Sequence, residues 1–228
     1  MVTAAKRLLA TVGCTLIGLI GTPAEAKTDG QQRVVERARL ALDSFLDDPN
    51  FEYMRVYVQN AYAVLVVPEM LKAGFLFGAE YGVGVLLVRD PQSGEWGQPA
   101  FCSVYGGSLG MQIGGTISDM VFTIMNEGAI DKLIAHKVKF GADMELAVGR
   151  IGAGVGAGVT TQFGEDVYVF SKSKGLFGGV ALDGTVIAPK NDWNEAYYGR
   201  PVDPMKIVRE PAPARTEVAA LHDALSRF

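Results

Sequence analysis

The sequence predicts an α+β fold: a strongly bent, mainly antiparallel β-sheet, barrel-like in form, with short helices packed on it. Three observations lead there. Twenty-eight of the 228 residues are glycine, which suits tight turns and close strand packing. From Ala61 to Pro189 most of the chain reads as strands, either alternating or as short apolar runs. The regular β–α–β alternation that marks a parallel sheet is missing. With 49% apolar residues, one core and some extension are expected.

The first 26 residues read as a secretory signal peptide. Lys6 and Arg7 supply a positive start, Leu8 to Ile20 an apolar stretch, and Ala24-Glu25-Ala26 an A-x-A cleavage pattern. The apolar stretch is shorter than the roughly 20 residues that span a bilayer. A signal anchor stays open as an alternative. So does a lipoprotein with lipid on Cys14. The expected mature chain starts at Lys27 and is exported, to a bacterial periplasm. The net charge is −4, and loss of Lys6, Arg7 and Glu25 takes it one unit lower. Such a chain has no overall attraction to nucleic acid or anionic lipid, so any such binding needs a local patch. One cysteine, Cys102, follows the leader, which excludes an internal disulfide. It reads as a buried small apolar residue.

Gln31 to Asp48 has helical spacing, with Val34, Val35, Ala38, Leu42, Phe45 and Leu46 on one stripe. Arg33, Arg37 and Arg39 lie off it. Packing on the domain and lying in a membrane interface are both open, and the acidic end at Asp43, Asp47 and Asp48 counts against the second. Tyr81 to Val88 alternates glycine with valine. Met120 to Met125 and Val167 to Phe170 are apolar on both faces and read as central strands. Val138 to Val148 alternates cleanly and reads as one long strand with a wet face. A helix over 127–136 has Asn126 as N-cap. Another over 193–198 has Asp192 and Glu195 as a capping-box-like pair and Gly199 as its stop. Gly152, Gly154, Gly156 and Gly158 would give a strand one bare face. Lys72–Gly78 and Lys174–Gly179 echo each other before strand-like runs. The chain thus divides into a leader (1–26), a main domain (27–199) and a tail (200–228), in which a proline-rich linker precedes a helix with Val218, Leu221, Leu225 and Phe228 on one stripe.

Gly106-Gly107-Ser108-Leu109-Gly110 matches G-x-S-x-G, the turn that presents a hydrolase nucleophile. That chemistry needs a helix directly after the serine and a histidine nearby. Met111–Thr116 reads as a strand instead, and His136 and His222 lie on a solvated helix and in the tail. Two scattered histidines and one cysteine assemble no zinc set. Asp119, Glu127, Asp131, Asp143 and Glu145 are the acids that could meet for acid–base work. Capping, turns and a wet strand face account for most of them. Asp119 enters an apolar strand, so it is expected to accept hydrogen bonds from a neighbouring turn.

The ordered set Val64–Pro68, Lys72–Gly78, Tyr81–Val88, Trp96–Phe101, Gly106–Gly114, Asp119–Phe122, Met125-Asn126, Gly141–Asp143, Ser171–Phe177 and Asn194–Gly199 closely resembles the SYLF domain family. The resemblance covers most of the chain after the leader. It implies a non-enzymatic protein that binds phospholipid or phosphoinositide and needs no cofactor. Eukaryotic members of that family pair the domain with other modules and meet actin; an exported bacterial chain would meet none. The candidate phosphate contacts are Lys72, Lys172 and Lys174, cations beside glycine turns, with Arg33, Arg37 and Arg39 as a second patch. Ordinary surface charge is the alternative for all six. Phe75, Phe77, Leu176 and Phe177 could insert into a membrane or fill the core. The competing function is an envelope scaffold that docks another protein without binding lipid.

Overall fold

The structure is a computed structural model that describes residues 23–74, 77–109, 114–144, 146–148, 165–174, 182, 184–210 and 216–228. The described residues begin with helix α1, Pro23–Leu46. Its stripe of Val35, Ala38, Leu42 and Phe45 is fully buried, as the spacing predicts. The helix starts just before the A-x-A pattern, earlier than expected. Asp48 ends it and caps a short 3₁₀ turn, Pro49–Phe51, by accepting the Asn50 N–H at 3.1 Å. Helix α2, Met54–Asn60, leads into the sheet.

Among the described residues eight strands follow: β1 Ala63–Gly74, β2 Phe77–Val88, β3 Ala100–Leu109, β4 Gly114–Ile124, β5 Val138–Lys139, β6 Leu146–Val148, β7 Val167–Lys174 and β8 Val186–Pro189. Helix α3, Glu127–Ala135, lies between β4 and β5, while α4 Asn191–Tyr198, α5 Pro204–Ile207 and α6 Thr216–Ser226 follow β8. The strands form one curled sheet in the order β5-β8-β3-β2-β1-β4-β7-β6. Every pairing is antiparallel except β6 with β7. The fold is therefore α+β with a bent, mainly antiparallel sheet, as predicted.

Ala63–Val67 is buried on both faces because β1 lies mid-sheet between two apolar clusters. Ala63, Leu65 and Val67 join one cluster, with α3, β5 and β8. Val64 and Val66 join the other, with α1, α2, α4 and α6. A bulge between Val67 and Met70 breaks the register, and Glu69 takes a positive φ of 55° there. Beyond it β1 alternates between covered and exposed residues.

Several expectations are met. Asn126 caps α3 by accepting the Ala129 N–H at 2.7 Å. Strands β4 and β7 are interior strands. The tail helix exists, and Val218, Leu221, Leu225 and Phe228 are buried, all but Val218 in the cluster that holds α1.

Others are corrected. The long strand over 138–148 is two short ones on opposite edges of the sheet. Gly141, at φ 81°, turns the chain, and the Asp143 carboxylate locks that turn by accepting the Lys139 N–H at 2.9 Å. Alternation survived because Val138, Phe140 and Met144 are still buried one by one. Helix α4 starts two residues early, with Lys190 at the cap position and no side chain capping it. Asp192 sits in the first turn, paired with Lys190 at 3.3 Å. Gly199 stops that helix at φ 67°, as expected. The glycine run 152–158 lies outside the described residues, as does all of the second echo after Lys174.

Candidate lipid-binding surface

The sheet outreaches its cover at one end, where the β1–β2 hairpin, the end of β3 and the start of β4 project. Leu71 lies opposite Tyr81 on one side and Ile117 on the other, and Tyr81 lies opposite Tyr105. Directly paired residues share a face, so these four form a row across β3, β2, β1 and β4. Leu71 and Tyr81 are each 51% exposed and Ile117 is 43% exposed. Tyr105 is half-buried. A contiguous apolar row in water is the kind of feature that marks a docking surface.

The row lies on the same face as α1. Glu69 and Asp119 show how the two meet. Asp119, 4% exposed, accepts the Glu69 N–H at 3.0 Å, which satisfies the carboxylate at the bulge. The Glu69 side chain in turn pairs with Arg37 of α1. One strand further on, Lys172 lies opposite Asp119, donates to the Ser44 carbonyl of α1 at 2.8 Å and pairs with Asp48 at 3.0 Å. Lys172 draws the Asp48 carboxyl below its ordinary range, helped by the Asn50 backbone N–H. Between those two attachments, one turn from Arg37, Leu40 stands 51% exposed.

The predicted cations are thus placed as follows. Arg37 and Lys172 lie beside the apolar row. Arg33 pairs with Asp29 further along α1. Arg39 is held by Glu36 at 2.7 Å and Asp43 at 2.5 Å; that hydrogen bond holds the Glu36 carboxyl low and the Arg39 guanidinium high. Lys72 is on the opposite face, because its neighbour Leu71 belongs to the row and strand side chains alternate. There it pairs at 3.2 Å with Glu80, a nearly buried carboxylate that also accepts the Thr185 hydroxyl. Lys174 ends β7 opposite Ile117. The structure therefore brings Arg37 and Lys172 to one surface and separates Lys72 from them.

Sequence reasoning missed Leu40, Leu71, Tyr81 and Ile117. The signal lay in register: the three strand residues meet only once the bulge in β1 is known. Of the expected inserting residues, Phe75, Leu176 and Phe177 lie outside the described residues, and Phe77 begins β2.

No catalytic geometry accompanies this surface among the described residues. Ser108 lies within strand β3, opposite Gly78, and not at a strand-to-helix turn. His136 closes α3 at the surface, and His222 on α6 sits 3.0 Å from the Gly97 carbonyl. No group of three or more His, Cys, Asp or Glu is arranged to hold a metal among the described residues. Cys102 is buried, and burial pushes its thiol up to about 12. No described helix is long and apolar enough to cross a membrane.

The family described as "Ysc84: Las17-binding protein actin regulator" matches residues 105–228, more than half of the chain. The rat protein named "SH3 domain-containing YSC84-like protein 1" is 28% identical over 165 residues, 72% of this chain and 48% of the rat protein. Its Xenopus laevis namesake is 32% identical over 137 residues, 60% of this chain and 41% of that one. "Protein YSC84" of Saccharomyces cerevisiae is 31% identical over 146 residues, 63% of this chain and 31% of its own length. The chain spans about half the length, or less, of these relatives. Two of these names mention an SH3 domain, the family description mentions actin regulation, and none names an enzyme. With its ordered sequence blocks and the match over 105–228, this chain belongs to the Ysc84 family, the family of the SYLF domain.

Proposed function

We propose that this chain is a non-enzymatic protein that binds the surface of an anionic phospholipid membrane, exported to a bacterial cell envelope. One observation carries the membrane reading: the half-exposed row of Tyr81, Leu71 and Ile117 beside Arg37 and Lys172. Export rests on the leader pattern of residues 1–26. Fully burying a Leu- or Ile-sized side chain contributes about 1.5–3 kcal/mol. These residues are already half-covered, so each adds on the order of 1 kcal/mol on insertion. That is marginal alone and needs help from headgroup contacts. Arg37 can give it at low cost, since an exposed ion pair such as Arg37–Glu69 is worth about 0–1 kcal/mol and exchanges partners readily, while Lys172, held by Ser44 and Asp48, adds its charge from where it stands. Their pairing with carboxylates leaves the rim near neutral. The apolar row therefore dominates, and salt has a moderate effect.

Co-sedimentation of residues 23–228 with vesicles tests this. We expect binding to vesicles with phosphatidylglycerol, less to neutral phosphatidylcholine. A Leu71→Ser/Tyr81→Ser/Ile117→Ser variant should lose at least tenfold in affinity, and Lys172→Ala a smaller factor. Equal binding by the triple variant would remove the row from the site. No binding to either vesicle would favour a protein-docking scaffold.

A further inference from the structure

We propose that a groove at the opposite end of the sheet docks a basic, amphipathic protein segment. It has a volume of about 1040 Å³ and lies between the 89–97 loop, helices α2, α3 and α6 and the turn that follows α5. Val88, at the end of β2, lines it, as does Tyr62, just before β1. The apolar row lies at the other ends of the same two strands. Eight residues of β1 separate Ala63 from Leu71, roughly 25 Å at about 3.3 Å per residue. The groove is therefore a separate surface.

Its chemistry is one-sided. Val58, Val88, Val208 and Leu225 give it apolar walls. Asp90, Glu95, Glu127 and Asp223 line it, all four exposed. None of these carboxylates forms an ion pair among the described residues. Two arginines line it as well. Arg209 pairs with Asp131 at 3.0 Å. Arg89 lies over the Trp96 ring at 4.3 Å and donates to the Val58 carbonyl at 3.1 Å. Glu210, a fifth acid, is matched by Arg200. What remains is an apolar cleft with four carboxylates outside any ion pair among the described residues against one such cation, Arg89, a net negative lining. Lys and Arg with long aliphatic stems complement both properties at once. A helix or strand with apolar residues on one side and Lys or Arg on the other fits such a cleft. An anionic lipid surface does not, because the same carboxylates repel it.

A fluorescence-anisotropy titration tests this with a labelled amphipathic Lys/Leu peptide of 14 residues. A Glu/Leu peptide of the same pattern is the control. The full chain should bind the Lys/Leu peptide saturably and the Glu/Leu peptide not at all, with weaker binding at high salt. Glu95→Lys/Asp223→Lys should reduce affinity at least tenfold. Ala219→Arg, which places a long cation in the groove from an exposed position on α6, should do the same. All these sites are at the surface, and circular dichroism confirms that the variants fold. Equal binding of both peptides, unchanged affinity in both variants, or no binding of the Lys/Leu peptide would each overturn the proposal.

Discussion

The carboxylate of Asp119 enters a strand that would otherwise leave it stranded among apolar residues, and the bulge of β1 supplies its partner. Glu69, at φ 55°, turns its N–H toward Asp119. A non-glycine residue holds such a backbone only where its surroundings fix it. Asp119 does part of that work, and Arg37 reaches the same residue from α1. A buried N–H left without an acceptor costs about 1–3 kcal/mol. Asp119→Ala should therefore destabilise the protein by about that much in urea unfolding, whereas Asp119→Asn keeps an acceptor oxygen and should cost less. Equal losses would mean that the negative charge, rather than the hydrogen bond, matters at the bulge. The sequence exposed this site because an acid inside an apolar run needs an explanation. It could not show which turn answered it.

At the scale of elements, legibility followed the range of the interaction that decides each one. α1 and α6 were readable because a helical stripe is local: α6 buries all four residues its stripe named, and α1 buries Val35, Ala38, Leu42 and Phe45 and half-buries Val34 and Leu46. α3 was readable because Asn126 caps it three residues away. The supposed strand over 138–148 was misread because burial alternates there through a turn as well as through a strand. Only the Gly141 backbone and the Asp143 carboxylate separate the two. The apolar row was illegible for a different reason: its members come from four strands, and the bulge sets which of their side chains meet. The lysines looked alike beside their glycines, yet strand alternation sends Lys72 to the far face, to Glu80. α6 also carries a pH dependence. Burial holds the His222 ring below its ordinary value, against the opposing pull of the Gly97 carbonyl and Glu95. The folded state thus prefers neutral His222, and the unfolded chain binds the proton more readily. Stability from this group is present above the unfolded value of about 6.5 and is lost as pH falls through the lower folded value. The stability of the chain should fall from pH 7 to pH 5 by more than in His222→Gln, measured by denaturant unfolding at each pH. A parallel decline in both proteins would show that other groups set the acid limit.

Among the described residues, two separate surfaces stand at the two ends of one sheet. Strands β1 and β2 run from one to the other, and their middle residues are buried on both faces. The proposed lipid surface is apolar with paired cations beside it; the groove is apolar with an excess of acids. No residue is shared between them. Sites this far apart, with no common partner, act additively unless a two-state element couples them. The described part of the sheet offers no such element, since its central strands are packed on both sides and cores resist continuous deformation. The two activities should therefore separate cleanly by mutation. Leu71→Ser/Tyr81→Ser/Ile117→Ser should lose vesicle binding and keep its affinity for the Lys/Leu peptide within about twofold. Glu95→Lys/Asp223→Lys should lose the peptide and sediment with anionic vesicles at least as well as the parent, because it removes repelling charge. Loss of both activities in either variant would show that one surface serves both ligands, and the division of the molecule into a membrane end and a partner end would fall.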